Sequence, residues 1–331
     1  MNLPPEQAVL VPASELRLFA AACLRTSGMS DDHARQLAEL LVNSDLRGVR
    51  SHGTRTLAGY CNTLRSGHCN PNPKIEVVQE TDVAVNIDGD GSLGYAPTMQ
   101  ATEMCIEKAK EKGIAVGAIC AIGHYGSAGH YVRRAMEEGM IGFSVQGAYP
   151  QYYKSNEGKR AAHYGNPPLC FGLPSDSEAP VVLDGATCIL ADDQHGEEFI
   201  ALEKMIPAAL FKSMGYTAIG TALGGAFVGQ GSSRAQQVAE AWPGARLGGM
   251  VWIMQAGLFT PETEFRKAID EMVRCARDEL IPVGNYNEAT LPGAIEHGFE
   301  KKYGRDGIRM GTDDEARLRE LGTELNIATP W

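Results

Sequence analysis

Asp45-Leu46-Arg47-Gly48-Val49-Arg50-Ser51-His52-Gly53 is the stretch on which the fold assignment rests. Before it, apolar residues between positions 30 and 44 recur at the spacing of one helical face. Gly48 breaks that helix, and a new helical pattern begins near Leu57. His52 is therefore predicted at the head of a loop, where the backbone can approach a ligand closely. The first 70 residues predict a small helical unit.

A stiff linker, Asn70-Pro71-Asn72-Pro73, follows this helical unit. Beyond it the apolar residues alternate, as in a strand, and probable strands then mix with helices as far as about residue 259. This pattern predicts one α/β domain, and after Leu291-Pro292-Gly293 a helical tail returns. The predicted strands are 114–121, 141–146, 169–173, 180–184 and 249–255, and the predicted helices are 95–112, 127–138, 214–228, 233–241 and 261–277.

Composition and charge narrow the possible partners. The chain has 331 residues, 44% of them hydrophobic, and a net charge of −11, which disfavours nucleic acid and anionic membranes as partners. The most apolar stretch, 216–228, is shorter than a membrane span, and the N-terminus lacks the pattern of a signal peptide. The eight cysteines form no Cys-x-x-Cys pair, so we expect a cytoplasmic protein with reduced thiols.

Gly89-Asp90-Gly91-Ser92-Leu93-Gly94 matches the G-x-G-x-x-G pattern of Rossmann dinucleotide-binding loops. Two features count against that interpretation. Asp90 puts a carboxylate where a pyrophosphate would bind, and the next strand ends in Cys120-Ala121-Ile122-Gly123, without the acid that holds a ribose hydroxyl. We therefore interpret the six residues as a tight turn between a strand and a helix.

The stretch 45–53 resembles the R-G-x-x-S-H-G signature of the malate/L-lactate/ureidoglycolate dehydrogenase family. Further matches follow in the family's order and cover nearly the whole chain. They are Gly123-His124-Tyr125-Gly126, Gly139-Met140-Ile141-Gly142, Tyr164-Gly165-Asn166-Pro167-Pro168, the segment from Val181 to Cys188, Phe211-Lys212-Ser213-Met214-Gly215 and Leu291-Pro292-Gly293.

The resemblance implies a fold peculiar to the family, in which a non-Rossmann α/β domain binds NAD or NADP. We expect this domain to cover residues 74–290. The N-terminal part, 1–73, and the C-terminal return, 291–331, would pack together as a second, mainly helical domain. The resemblance also implies a homodimer in which each active site, for a small carboxylate substrate, is completed at the subunit interface.

His52 is the predicted proton-transfer residue. Oxidation of a 2-hydroxy acid needs a base for the hydroxyl proton, and histidine suits this role because its pKa lies near neutrality. Local sequence alone favours a His52 that caps a helix or is buried as a structural residue, and the family signature reverses this preference in favour of catalysis. Ser51, Arg55 and Tyr60 are the expected substrate-binding neighbours.

His124 and Asp184 complete the predicted catalytic set. His124 follows the end of a predicted strand and Asp184 ends another, where ligands gather in α/β proteins. A structural histidine and an Asp-Gly turn are the alternatives. Hydride transfer to a nicotinamide needs no metal, and no metal-ligand spacing is present, so we predict none. By resemblance, the residues facing the cofactor are His124, Ala148, Asp184, Gly185, Ala186, Thr187, Lys212, Pro292 and Gly293. An ordinary surface lysine is the alternative for Lys212.

Several positions depart from the family pattern. Thr56 stands where the family has an arginine that binds the substrate carboxylate, and the nearest arginine is Arg55. A Gly-Trp-rich loop is missing between Asp184 and Lys212. The other departures are Asn166-Pro167, Ser213 and Met250-Val251. The sequence predicts an NAD(P)-dependent 2-hydroxy-acid dehydrogenase, with a cyclic imino-acid reductase and a non-redox dimeric homologue as rivals.

Overall fold

The computed structural model describes residues 4–149, 166–190, 196–284 and 286–331. The Tyr164-Gly165 part of one family match lies outside these ranges. Within them the chain is a mixed α/β protein with a sheet flanked by helices and a mainly helical unit at one end.

Segments from both ends of the chain build the helical unit. A two-stranded antiparallel sheet joins β1 (Ala8–Val11) to β9 (Ile308–Gly311). The buried apolar residues of the N-terminal segment share one core with Tyr303, Leu318 and Leu321 near the C-terminus. The helices of this unit are α1 (Ala13–Thr26), α2 (Asp31–Leu46), α3 (Leu57–Arg65), α10 (Ala294–Asp306) and α11 (Thr312–Leu325).

Seven strands form one sheet within the described residues, in the order β2-β3-β4-β8-β5-β6-β7. Only β3 and β4 are parallel among these described pairs, and every other neighbouring pair is antiparallel. The sheet is thus unlike a doubly wound parallel sheet. Its strands are β2 (Glu76–Glu80), β3 (Ala84–Asp88), β4 (Ile114–Ile122), β5 (Met140–Ala148), β6 (Pro168–Leu173), β7 (Val181–Ala186) and β8 (Leu247–Gln255).

Helices cover both faces of the sheet. One face packs on α4 (Tyr95–Lys112) and α5 (Gly129–Glu137), around a core that includes Ile119 and Val251. The other face packs on α7 (Pro207–Thr221), on the π-helical turn Ala222–Phe227 that continues it, and on α8 (Ser233–Ala241). The remaining helices are α6 (Glu197–Met205) and α9 (Glu262–Glu279).

The predicted strands from 114 onward are confirmed to within one or two residues. Two differences are larger. The helix predicted over 214–228 begins earlier, at Pro207, and ends in the π-helical turn. The edge strand β2 was not predicted, because all five of its residues are exposed and show no alternation. The domain boundaries given above stay predictions.

The glycine-rich stretch 89–94 forms a tight turn, as expected. Asp90 lies at φ +48°, and its carboxylate accepts hydrogen bonds from the backbone N–H of Lys74 and from Asn70. Arg234 on α8 also pairs with Asp90, at 3.0 Å. The carboxylate therefore fastens the turn to the linker and to α8 and does not leave a cradle for a phosphate.

No helix among the described residues combines the length and apolar character needed to cross a membrane.

Candidate active site

A cavity of about 810 Å³ opens between the His52 loop and the ends of several sheet strands. Its volume lies within the range of small-molecule and cofactor sites. The lining residues come mainly from the loop before α3, the segment between β4 and α5, α5 itself, the ends of β5 and β7, and the start of β6, with single residues from β8 and α10. They are Val49, Ser51, His52, His124, Ser127, Ala128, Arg133, Gln146, Gly147, Ala148, Asn166, Pro167, Pro168, Val182, Asp184, Gly185, Ala186, Cys188, Ile189, Leu190, Leu247 and Glu296.

His52 is held in place by the loop that follows it. The backbone N–H and the hydroxyl of Thr54 both donate to Asp45 Oδ2, at 2.9 and 2.6 Å, so the buried carboxylate fastens the loop to α2. Gly53 packs on the same carboxylate with no room for a side chain. Burial raises the pKa of Asp45 to about 7, although the hydrogen bonds from Thr54 act to lower it. The His52 ring itself has Ser51 Oγ 3.0 Å from Nδ1.

His124 lies beside His52, with the two rings stacked at 5.7 Å between centroids. The hydroxyl of Tyr60 is 2.7 Å from His124 Nδ1 and 2.9 Å from the hydroxyl of Tyr95. Burial, together with the neighbouring imidazole, lowers the pKa of His124 to about 4. Burial also lowers the pKa of His52, partly offset by the negative charge of Asp184. Both imidazoles are therefore neutral at pH 7.

Asp184 links β7 to the start of α5. Its Oδ2 accepts hydrogen bonds from the hydroxyl of Ser127 and from the backbone N–H of Gly129, the latter at 2.9 Å. An arginine of the same helix, Arg133, has a guanidinium nitrogen 4.0 Å from that oxygen. The carboxylate thus places its charge on the cavity wall, close enough to act on the pKa of His52.

The structure brings most of the predicted site residues to this cavity. His52, His124 and Asp184 line it, and so do Ser51 and three predicted cofactor positions, Ala148, Gly185 and Ala186. A Cβ built at Gly185 meets nothing within 4 Å, so the backbone there faces open space that a ligand can occupy. Tyr60 does not line the cavity, but its hydroxyl is hydrogen-bonded to His124. The sequence had suggested His52 as the neighbour of Tyr60.

Arg55 is not brought to the cavity. Its guanidinium is 3.4 Å from Asp314 Oδ1 on α11, in a separate pocket, and Arg50 pairs with the same carboxylate at 2.6 Å. Thr56, which replaces the family arginine, donates its hydroxyl to the carbonyl of Gly53. A substrate contact for Arg55 stays a prediction that this arrangement does not support.

Four predicted cofactor positions lie away from the lining. Thr187 donates from its backbone and its hydroxyl to the carbonyl of Pro167, and Lys212 is exposed on α7. Gly293 lines a neighbouring cavity of about 300 Å³, and the Pro292 carbonyl accepts the N–H of Val182. That second cavity shares Arg133, Val182 and Glu296 with the first, so the two cavities are adjacent.

Some of the departures from the family pattern have structural roles. Ser213 on α7 donates its hydroxyl to the carbonyl of Thr187 and accepts the N–H of Ile189, which fastens the segment after β7. Met250 and Val251 are buried in the middle of β8, on opposite faces of the sheet. The segment between Asp184 and Lys212 contains α6.

Sequence reasoning missed two lining residues with chemistry of their own. Gln146 on β5 donates to the carbonyl of Gly123 and accepts the N–H of Tyr125, so it holds the loop that carries His124. Arg133 on α5 is the other residue. The sequence gives little indication of a role for Arg133. It is a basic residue one helical turn after the buried first residues of α5. The described residues contain no group of three or more potential metal ligands.

The sheet order and the paired imidazoles define a non-Rossmann α/β protein with a cleft that carries acid/base groups. A model of the malate/L-lactate dehydrogenase family matches residues 11–195, more than half of the chain. The chain belongs to this family.

Individual relatives agree. The malate dehydrogenase of Pyrococcus abyssi is 34% identical over 185 residues, which is 56% of this chain but only about half, 50%, of that protein. The malate/(S)-sulfolactate dehydrogenase of Methanothermus fervidus is 25% identical over 98% of this chain and 100% of its own length. The solved structure of the Pyrococcus horikoshii malate dehydrogenase superposes with a TM-score of 0.82 at 24% identity, covering 98% of each chain, which supports the fold.

Proposed function

We propose that the chain is an NAD(P)-dependent oxidoreductase that transfers hydride between the nicotinamide and a small 2-hydroxy or 2-oxo carboxylate. The observation that carries this proposal is the pair of neutral imidazoles, His52 and His124, on the wall of a ligand-sized cavity in a member of a dehydrogenase family. Asp184 lines the same cavity.

His52 is the proposed base in the oxidation direction. Ser51 Oγ can accept the proton of Nδ1, which leaves the Nε2 lone pair for the substrate hydroxyl. Because the imidazole is neutral at pH 7, it can take up the hydroxyl proton as the carbon loses hydride, and it returns this proton in the reverse direction.

His124 is the proposed hydrogen-bond donor to the substrate oxygen. Burial raises the pKa of Tyr60 to about 12, so Tyr60 keeps its proton and can donate it to His124 Nδ1. The ring proton is then on Nε2. A neutral imidazole in this tautomer polarises a carbonyl without giving up its proton.

Ala148, Gly185 and Ala186 line the cavity, and the backbone at Gly185 leaves open space there, which suits a nicotinamide cofactor. NAD or NADP would supply or accept the hydride. We propose that these residues and Asp184 hold the cofactor beside the two imidazoles. Thr187, Lys212, Pro292 and Gly293 stay secondary candidates for this role.

Titration with NADH and NADPH, followed by the fluorescence of the chain's three tryptophans, tests the proposal. We expect quenching by at least one cofactor, and turnover of at least one acid from a panel of 2-hydroxy and 2-oxo acids. Turnover of pyrroline- or piperideine-2-carboxylate alone would instead identify a cyclic imino-acid reductase. The absence of both quenching and turnover would overturn the proposal in favour of a non-redox protein.

The substitution Asp184→Asn is expected to move the acid limb of the pH profile for oxidation to lower pH. The negative charge of Asp184 raises the pKa of His52 against the lowering by burial, so its removal lowers that pKa further. Oxidation needs the neutral imidazole, so activity is lost only as the pH falls through the pKa of His52. Profiles of kcat/KM against pH measure the limb.

The control for this prediction is Ser127→Ala. It removes a hydrogen bond to Asp184 but no charge, so the acid limb should stay where it is in the wild type. An Asp184→Asn limb that stays in place or moves to higher pH would contradict the assignment of His52 as the base.

We propose a homodimer that uses the exposed apolar side of α7 and of the turn that follows it. Tyr216, Ile219 and Phe227 are more than half exposed there, and soluble monomers rarely expose such a row of large apolar side chains. Ser213 on the same helix fastens residues that adjoin the cavity. A partner bound to this side would therefore lie close to the active site.

The double substitution Ile219→Asp/Phe227→Asp is expected to convert the dimer to a monomer, because it places two charges in the proposed apolar contact. Sedimentation velocity measures the change. Leu18→Asp is the control, since Leu18 is 72% exposed but lies on α1 in the helical unit, whereas α7 packs on the sheet. A double variant that sediments like the wild type would show that this surface is not the dimer contact.

We place the protein in the cytoplasm. Six cysteines are buried as free thiols in the structure, which suits a reducing compartment. They are Cys23, Cys61, Cys69, Cys105, Cys120 and Cys170.

A further inference from the structure

A small carboxylate substrate needs a positive charge in the cavity. In the cavity without a ligand, the two imidazoles carry no charge at pH 7, because burial lowers the pKa of each ring. Among the described residues that line the cavity, Arg133 is the sole arginine or lysine. The lining also carries two acids, Asp184 and Glu296.

The arginines of the His52 loop are already engaged elsewhere. Arg50 and Arg55 both pair with Asp314, a nearly buried carboxylate on α11. They line a different pocket, between the His52 loop and the C-terminal segment. Moving either one to the cavity would leave the Asp314 charge buried with fewer partners, which is costly.

The guanidinium N–H groups of Arg133, in contrast, are available to bind a ligand. Its side chain is 15% exposed and makes no hydrogen bond to another described residue. The 4.0 Å approach to Asp184 is an ion pair at the limit of contact, and that carboxylate already accepts hydrogen bonds from Ser127 and Gly129. A guanidinium presents paired N–H groups that match the two oxygens of a carboxylate.

We propose that Arg133 binds the substrate carboxylate, in the role that the resemblance assigns to an arginine on the His52 loop. The inference rests on the proposed function and specifies its substrate class. Asp184 pairs with the Arg133 guanidinium and orients it. Both residues line the same cavity as His52. Acids with a free carboxylate next to the reacting carbon are substrates, and the corresponding amides and esters are rejected.

Calorimetric titration with oxalate, in the presence of NADH or NADPH, tests the proposal without turnover. Oxalate is a planar analogue of a 2-oxo acid, and oxamide is its uncharged counterpart. We expect the wild type to bind oxalate and not oxamide, and Arg133→Met to bind oxalate roughly 10- to 100-fold more weakly, as for loss of a charge-assisted hydrogen bond. Arg133→Lys should lie between, because it keeps the charge but not the paired donors.

Arg134→Met is the matched control, one position along α5. Arg134 pairs with Glu103 and Glu138 and does not line the cavity, so its oxalate affinity should match that of the wild type. Kinetics add a second readout, since Arg133→Met should raise KM for the best 2-oxo acid by more than it lowers kcat.

Two results would overturn the inference: an Arg133→Met variant that binds oxalate as the wild type does, or a wild type that does not bind oxalate. Tryptophan quenching by NAD(P)H separates this failure from that of the proposed function. Quenching with turnover in the wild type, but unchanged oxalate affinity in Arg133→Met, rejects Arg133 alone. The absence of quenching and turnover rejects the proposed function itself.

Discussion

Replacement of His52 by asparagine should lower kcat for the oxidation of the best 2-hydroxy acid by roughly 10²- to 10⁴-fold, the usual contribution of a positioned acid/base. Asparagine keeps a polar side chain of similar size but cannot accept the hydroxyl proton. The loop should keep its position, because Thr54 is held by Asp45 and not by the imidazole. Steady-state kinetics at several pH values measure the loss.

Two further observations make this prediction specific. Quenching of tryptophan fluorescence by NADH or NADPH should be nearly unchanged in His52→Asn, so the loss is not one of cofactor binding. The acid limb of the pH profile should also disappear, since the group that titrates there is gone. A variant that keeps more than a tenth of the wild-type kcat would remove His52 from the chemistry.

His124→Asn should have a smaller effect on kcat than His52→Asn. Its pKa of about 4 makes His124 a weak base near neutrality, whereas Asp184 partly counters the effect of burial on His52. His124 is also fixed by Tyr60, in a position suited to donating a hydrogen bond. The division of labour between the two rings therefore follows from their surroundings.

Much of the fold is predictable from local sequence because the interior strands are nearly continuous apolar runs. Residues 114–121 are predicted as a strand, and they form most of β4 (Ile114–Ile122) in the interior of the sheet. The exposed strand β2 shows no such pattern, and it forms because its backbone pairs with β3. The edge of the sheet is thus decided by tertiary pairing, which local periodicity does not reveal.

The site, like the fold, is predictable from local sequence only in part. His52, His124 and Asp184 each lie in a motif at the end of a regular element, and the structure brings all three to one cavity. The direction of Arg55 depends on its ion pair with Asp314, which lies near the other end of the chain. Arg133 carries no motif at all. Spacing along the chain predicts where a residue lies on its own element, but not which distant charge it will meet.

Gly225→Ala is expected to destabilise the protein by about 3 kcal/mol, at the upper end of the range for overpacking. Gly225 lies in the π-helical turn Ala222–Phe227, and a Cβ there would overlap the carbonyl oxygen of Ala148 at the end of β5. Both sides of this contact are backbone, so no side chain can move aside. Because Ala148 lines the cavity, the affinity for NADH or NADPH should fall together with stability.

The control, Gly304→Ala, should have the opposite sign. Gly304 lies on α10, where a Cβ meets nothing within 4 Å, so alanine should stabilise the helix by roughly 0.5–1 kcal/mol. Urea unfolding of both variants measures the difference. Equal stability of Gly225→Ala and the wild type would mean that the turn does not press against β5. In that case, contact between the turn and β5 would not be the interaction that positions Ala148 in the cavity wall.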